Sequence, residues 1–179
     1  LLKLFKNGFS TGHGYLREPN GVGSYSALAC IAIQANQNEM HGGQSVPNFD
    51  YSMAPGVRKT YQKEYKNALA QYMQLTNSAE TPQARAYAEK TAWERTDRAT
   101  YQAMEALIHN LNTMNSRAGA QVPFSSINYG TDTSREGRMV VENLLRATRA
   151  GLGKGETPIF PVQIFKVKEG INFNPGDPN

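Results

Sequence analysis

The sequence predicts an α/β protein in which two long helices precede a strand–helix–strand unit. Residues 122–130 and 159–167 are strand candidates separated by one amphipathic helix, an order that requires parallel strands in a sheet or barrel. Two helical patterns joined by a short linker lie directly before them. We therefore expect three regions: a loop and buried helix over 1–54, a helical hairpin over 55–117, and the strand–helix–strand unit over 122–179.

The N-terminal region is predicted to contain a loop and one buried helix. Residues 8–23 are rich in glycine, which favours a loop. Ser24 can cap a helix that runs to about Asn38, and small apolar side chains surround most of its girth. Such a helix is usually buried against close neighbours. Its polar end is followed by His41-Gly42-Gly43-Gln44, where the glycines indicate a turn between two hydrogen-bonding side chains.

The two long helices are predicted over 55–76 and 82–116. Pro55 suits a helix start, and Thr81 with Pro82 forms a cap and first-turn pair for the second helix. A stripe at helical spacing in the first helix indicates packing; it comprises Val57, Tyr61, Tyr65, Leu69 and Tyr72. The second helix, of ~34 residues, would be roughly 50 Å long, more than a compact domain of this size needs. We expect an antiparallel hairpin that projects from the body or serves a subunit interface.

The last region supplies a candidate ligand site. Thr133 and Glu136 match a capping box for a helix that runs to about Ala150. Ligands of parallel α/β folds bind at the C-terminal ends of strands, and the strand before this helix carries Ser125, Ser126 and Asn128. A polar or phosphate-bearing ligand at the helix N-terminus and ordinary turn and capping chemistry explain these residues equally well.

Composition narrows the class of protein. Hydrophobic residues are 39% and charged residues 19%, as in an ordinary soluble globular protein. The sequence has no apolar run of membrane-spanning length and no signal peptide, so we expect a cytoplasmic protein. The net charge of +4 comes from basic residues mixed with acidic ones, which argues against nucleic-acid binding and leaves small anionic ligands open.

Cysteine and histidine spacing argues against metal and nucleophilic sites. Cys30 is the single cysteine, which excludes an intrachain disulfide and a CxxC zinc site. Its small apolar neighbours favour a buried side chain over a reactive thiol. The three histidines are far apart and form neither an HxxxH nor an HExxH pair: His13, His41 and His109. No Ser-His-Asp arrangement supports hydrolysis.

Five stretches, taken together and in order, resemble the large glycyl-radical subunit of the anaerobic (class III) ribonucleoside-triphosphate reductases. They include GFSTGHGYLREP and HGGQ, and they occupy residues 8–19, 26–45, 115–128, 129–134 and 159–172. The resemblance covers nearly the whole chain, and its specificity lies in the combination, since no single short motif is sufficient.

The resemblance implies part of a ten-stranded α/β barrel around a finger loop, with the helical hairpin at the interface of a homodimer. It implies reduction of ribonucleoside triphosphates to deoxyribonucleoside triphosphates for DNA synthesis, with hydrogen replacing the ribose 2′-hydroxyl. An iron–sulfur activase using S-adenosylmethionine would install the glycyl radical. That radical would generate a thiyl radical, and formate or a thiol system would supply reducing equivalents.

The resemblance also implies two sets of site residues. An allosteric nucleotide, a deoxynucleoside triphosphate or ATP, would bind near the dimer interface and select the base that is reduced. The effector set is Asn38, His41, Gln44 and, for the phosphates, Arg95, with Lys59 and Lys63 as other cations. The substrate set on the barrel wall is Ser125, Ser126 and Asn128.

The chain departs from this family where the radical chemistry would take place. It has no Met-Gly-Cys-Arg finger-loop motif, no C-terminal glycyl-radical loop and no zinc site of four cysteines, and Cys30 matches none of these. The first active-site cysteine should lie before Leu1. We therefore expect an internal segment, without catalytic or metal-binding residues of its own, that is inactive alone.

Two other functions are weighed against this one. The chain could be a standalone nucleotide-binding or dimerisation module that lacks the radical machinery; the true ends of the gene discriminate the two. A hydrolase on a barrel scaffold would need an acid–base pair, for which Glu39 and His41 are the nearest and a poor candidate.

Overall fold

A computed structural model of the chain describes residues 1–115 and 120–179. The elements in chain order are α1 (Leu2–Asn7), β1 (Phe9–Ser10), β2 (Tyr15–Leu16), α2 (Val22–Glu39), β3 (Gln44–Val46), α3 (Phe49–Thr76), α4 (Pro82–Thr113), β4 (Ser125–Tyr129), α5 (Arg135–Ala150) and β5 (Val162–Phe165). The molecule is thus a mixed α/β structure, as predicted.

A parallel sheet in the order β3-β4-β5 forms the β part of the fold. In its register Gln44 lies opposite Ser125, and Asn128 lies opposite Ile164. The predicted strand–helix–strand unit is confirmed, because β4, α5 and β5 follow one another and the two strands are parallel. Strands β3 and β5 are the two edges of this sheet. The described residues therefore form three parallel strands and not the predicted ten-stranded barrel.

The core lies between the sheet and helices α2 to α5. Residues on alternate positions of β4 are buried, because successive side chains of a strand point to opposite faces. The largest buried side chains come from every layer and include Phe5, Phe49, Met53, Met104, Leu107, Ile127 and Leu144. One contiguous hydrophobic core therefore fixes the sheet against the helices.

Helices α3 and α4 lie side by side in opposite directions. The Tyr61 and Trp93 rings stack with centroids 4.1 Å apart. Further along the two helices, the ring centroids of Tyr72 and Tyr87 are 5.1 Å apart. Fully buried alanines let the two backbones approach closely: Ala68, Ala84, Ala88 and Ala92. The 32 residues of α4 span roughly 48 Å. Its predicted end at Ser116 lies outside the described residues, as does the 117 boundary of the predicted hairpin region.

The start of α3 differs from the prediction. The helix begins at Phe49, and Pro55 lies within it instead of at its first turn. Proline removes one backbone donor and normally disfavours a helix interior. Here the first turns persist because Phe49, Met53 and Val57 lie on one face and are all fully buried. Tertiary burial outweighs the local preference of proline for a helix start.

The N-terminal caps of two other helices also differ. Helix α2 begins at Val22 with Gly21 as its N-cap, so Ser24 is not the cap, and Val22 N donates to Thr60 Oγ1 at 2.9 Å. Helix α5 is capped by Ser134, whose Oγ accepts from Gly137 N at 3.0 Å, so the predicted Thr133 cap is wrong.

The N-terminal third contains more structure than predicted. The expected loop over 8–23 includes the antiparallel pair β1 and β2, and residues 44–46 form strand β3. Strands of two or three residues are too short to show an alternating pattern, so the sequence does not reveal them.

None of the helices in the described ranges, 1–115 and 120–179, is long and apolar enough to cross a membrane.

Candidate functional site

Strand β4 carries the three predicted substrate residues, but on two different faces. Ser126 and Asn128 are half-buried and share one face, whereas Ser125 is buried with Ile127 on the other. Two buried atoms, Ser125 Oγ and Asn128 Oδ1, have no hydrogen-bond partner among the residues that the structure describes. Buried polar atoms are usually satisfied, so each of these two, on its own face of the strand, marks a place where a polar group outside the described residues would fit.

The turn that follows β4 binds an internal carboxylate. Asp50, fully buried in the first turn of α3, accepts three backbone N–H groups on Oδ2. The donors are Gly130 at 2.8 Å, Thr131 at 3.1 Å and Asp132 at 3.1 Å. Successive N–H groups of this kind form an anion-binding concavity. Here a carboxylate of the protein occupies the anion's position.

The carbonyl groups of the same turn are also bound. Asn172 Nδ2 donates to Gly130 O at 2.7 Å, and Asn179 Nδ2 donates to Asp132 O at 3.0 Å. The Tyr51 hydroxyl donates to Thr131 O at 2.7 Å. Side chains from α3 and from the C-terminal segment therefore hold both sides of residues 130–132, which we call the β4 turn.

The start of α5 is likewise occupied by its own side chains. Asp132 Oδ1 accepts from Ser134 N at 2.9 Å, and a Cβ added at Gly137 would lie 2.3 Å from Asp132 Oδ2. Glycine at 137 therefore makes room for this carboxylate. Of the two interpretations of this helix start, turn and capping chemistry fits the described contacts, since carboxylates of the chain fill the positions that a phosphate would take.

The effector residues predicted at the end of α2 lie around a corner between α2 and β3. Asn38 and His41 are exposed, whereas Gln44 is buried in β3. Asn36 Nδ2 donates to Gln44 Oε1, and Gln44 Nε2 donates to Gly42 O at 3.4 Å. A cavity of about 370 Å³ lined by Asn36, Glu39 and Gln44 lies here. Asn38 lines an adjoining depression that shares Glu39.

Arg95 is separate from this corner. It lies in α4, where its guanidinium donates to Gln71 at 3.0 Å and faces Glu64 at 3.6 Å. Lys59 pairs with Glu18 at 2.5 Å. None of the three predicted cations, Arg95, Lys59 and Lys63, lines the α2–β3 cavity, so the structure does not bring the predicted phosphate-binding residues together with Asn38, His41 and Gln44.

Cys30 behaves as the predicted buried side chain. It is 3% exposed, and burial raises the pKa of its thiol to about 11. A thiol with such a pKa is protonated and poorly nucleophilic at neutral pH. Residues 1–115 and 120–179 contain no group of three His, Cys, Asp or Glu side chains close enough to hold a metal ion, and the zinc that the resemblance implies is expected outside this segment.

Comparison with known proteins gives the family. The family model described as anaerobic ribonucleoside-triphosphate reductase matches residues 1–179. The chain belongs to this family. Proteins named anaerobic ribonucleoside-triphosphate reductase from Salmonella typhimurium and Escherichia coli are each 30% identical over 98% of the chain, which covers 23% of their length. The reductase of that name from Enterobacteria phage T4 is also 30% identical over 98% of the chain and 27% of its own length.

The chain therefore corresponds to an internal segment, about a quarter of the length of these reductases, and the expected resemblance is confirmed.

Sequence reasoning missed the role of Asp50. The sequence offered one indication of this role, namely an acidic residue directly after Phe49 in a helix whose neighbouring turns are apolar. A buried acid at such a position requires hydrogen-bond donors, but the sequence does not say which.

Proposed function

We propose that the full-length protein containing this chain is an oxidoreductase that reduces ribonucleoside triphosphates to deoxyribonucleoside triphosphates by glycyl and thiyl radical chemistry. The observation that carries this proposal is the match of the family model to all 179 residues. The radical cysteine, the glycyl-radical loop and the zinc cysteines would lie outside the segment. The same proposal includes an iron–sulfur activase that installs the glycyl radical and a cytoplasmic location of the enzyme.

Within that enzyme the strand–helix–strand unit would be part of the wall of a ten-stranded barrel. Strand β5 supports this, because it is an edge strand whose side chains are exposed on both faces, including Val162, Ile164 and Phe165. Apolar edge strands of this kind are normally paired or covered. Strands outside the segment would continue the sheet from β5.

Substrate would contact the face of β4 that carries Ser126 and Asn128. Support comes from the half-buried position of both side chains and from the unpartnered Asn128 Oδ1 among the described residues. Ser125 is buried on the opposite face, so its hydroxyl would not reach a substrate bound there. Hydroxyl and amide groups are suited to hydrogen bonds with the ribose hydroxyls of a nucleotide.

The effector nucleotide would bind at the α2–β3 corner, near the interface of a homodimer formed with the α3–α4 hairpin. The cavity and the exposed Asn38 and His41 support this place. Gln44 lies opposite Ser125 in the sheet register, so an effector here would be one strand away from the substrate residues. Arg95 would have to reach the phosphates from a partner subunit, because in its own chain it contacts Gln71 and Glu64 away from this corner.

The test is an anaerobic assay of the full-length protein with an activase, S-adenosylmethionine and each ribonucleoside triphosphate. We expect deoxynucleotide formation, and we expect Ser126→Ala with Asn128→Ala to raise KM while Lys66→Ala, on an exposed helix position, leaves it unchanged. Titration with dATP, dGTP and dTTP should raise the melting temperature by mass action. Absence of turnover in an activated, folded sample refutes the reductase proposal and favours a nucleotide-binding module without catalysis.

A further inference from the structure

Among the acidic side chains that the structure describes, Asp50 accepts the largest number of hydrogen bonds from backbone N–H groups. It is 0% exposed, and its two carboxylate oxygens accept four backbone N–H groups, three from the β4 turn and one from Tyr51 at 3.0 Å. No ion pair of the described residues includes it. Its negative charge is therefore compensated by amide dipoles, so the β4 turn and Asp50 depend on each other.

The contact joins distant parts of the chain. Asp50 belongs to the first turn of α3, and the β4 turn lies about eighty residues later in the sequence. The β4 turn begins directly after Tyr129, the last residue of the strand that carries Ser126 and Asn128. Gly130, with φ of 114°, has no Cβ, and a Cβ there would lie 2.7 Å from the Phe165 ring. Close packing at Gly130 and the hydrogen bonds to Asp50 therefore both restrict the turn.

We propose that Asp50 is a positioning residue that fixes the C-terminal end of β4 and thereby sets the face of Ser126 and Asn128 toward the substrate. The substrate part of this proposal rests on the proposed reductase function. Asp50 does not touch the substrate; it acts through the backbone of residues 130–132. A loss of this support would displace the strand end, and small displacements of binding groups weaken the alignment of a reacting substrate strongly.

The experiment uses the full-length protein with three variants. Asp50→Ala removes all four acceptor contacts, whereas Asp50→Asn keeps an amide oxygen that can still accept from the turn. The matched control is Asp97→Asn, because Asp97 is a partly buried acid of α4 that accepts from Asn143 at 2.7 Å and does not contact the β4 turn.

The first measurement is amide hydrogen exchange of peptides that cover residues 130–132. We expect about tenfold faster exchange in Asp50→Ala, an intermediate change in Asp50→Asn and the wild-type rate in Asp97→Asn. Unchanged protection in a folded Asp50→Ala protein would overturn the proposal. If Asp50→Ala does not fold, the same comparison in Asp50→Asn decides it.

The second measurement separates positioning from general destabilisation. At a temperature where all variants are folded, Asp50→Ala should raise KM for the ribonucleoside triphosphate about tenfold, with partial recovery in Asp50→Asn. A KM and a kcat per folded molecule equal to the wild-type values would assign Asp50 a merely structural role and overturn the substrate part. If the wild-type protein has no reductase activity, the proposed function and the substrate part fall together, and hydrogen exchange still decides whether Asp50 holds the turn.

Discussion

Replacing Gly56 with alanine should destabilise the chain, although alanine is the better helix former by about 1 kcal/mol. Gly56 lies inside α3 and is buried against Tyr25 of α2. An added Cβ would lie 2.7 Å from Tyr25 Cγ and 2.8 Å from Cδ2, whereas carbon atoms in contact are normally about 3.5–4.0 Å apart.

The Tyr25 ring has little room to move away from this overlap. It is 3% exposed, and it packs edge-on against Phe5 with ring centroids 4.9 Å apart. Overpacking of a rigid core site costs roughly 2–3 kcal/mol, the upper part of the usual range. After subtraction of the helix-propensity gain, we expect a net loss of about 1–2 kcal/mol in the free energy of unfolding.

The assay is urea unfolding of this chain followed by far-ultraviolet circular dichroism, with the slope checked for constancy. Gly23→Ala is the matched control, since Gly23 is an exposed helical glycine whose added Cβ would meet no atom within 4 Å. It should leave stability unchanged or raise it by up to about 1 kcal/mol. In a Tyr25→Ala background, Gly56→Ala should no longer destabilise, because the overlap is gone. Equal stability of Gly56→Ala and Gly23→Ala would refute the reasoning.

Two further predictions concern a helix cap and the cysteine. Ser134→Ala should cost about 1 kcal/mol of stability and Thr133→Ala only a few tenths, measured by the same unfolding assay; the reverse order would restore the Thr133 cap. Burial raises the pKa of Cys30 to about 11 from an unperturbed 9.0, so the folded state holds a proton that the unfolded state releases. Stability should therefore fall by roughly 2 kcal/mol between pH 9 and pH 11, and this part of the loss should be missing in Cys30→Ala. An identical pH profile for Cys30→Ala would contradict it.

The helices and the parallel strand pair were predictable because their signals are local. The packing stripe of α3 and the order of β4, α5 and β5 can be recognised within short windows of sequence, and alternate residues of β4 are buried as the strand pattern requires. The buried thiol of Cys30 was predictable for the same reason, since its neighbours are small and apolar.

Other features depended on partners that a window of sequence does not contain. Thr133 and Ser134 are adjacent hydroxyls with similar capping preference, and the conformation of the preceding turn decides between them. Pro55 suggested a helix start, yet the burial of Phe49 and Met53 extends α3 upstream. Strand β3 has three residues and exists because β4 lies beside it.

The sequence by itself determined the family and the α/β class, because both reside in patterns that neighbouring residues carry. Only the tertiary structure decided that Asp50 fills the anion-binding turn after β4, that Arg95 lies apart from the α2–β3 corner, and that the face of β4 with Ser125 is the buried one. The physical reason is that hydrogen-bond partners and side-chain faces are set by packing between segments far apart in the chain. A carboxylate, a guanidinium or a hydroxyl has no determined role until that packing supplies its partner.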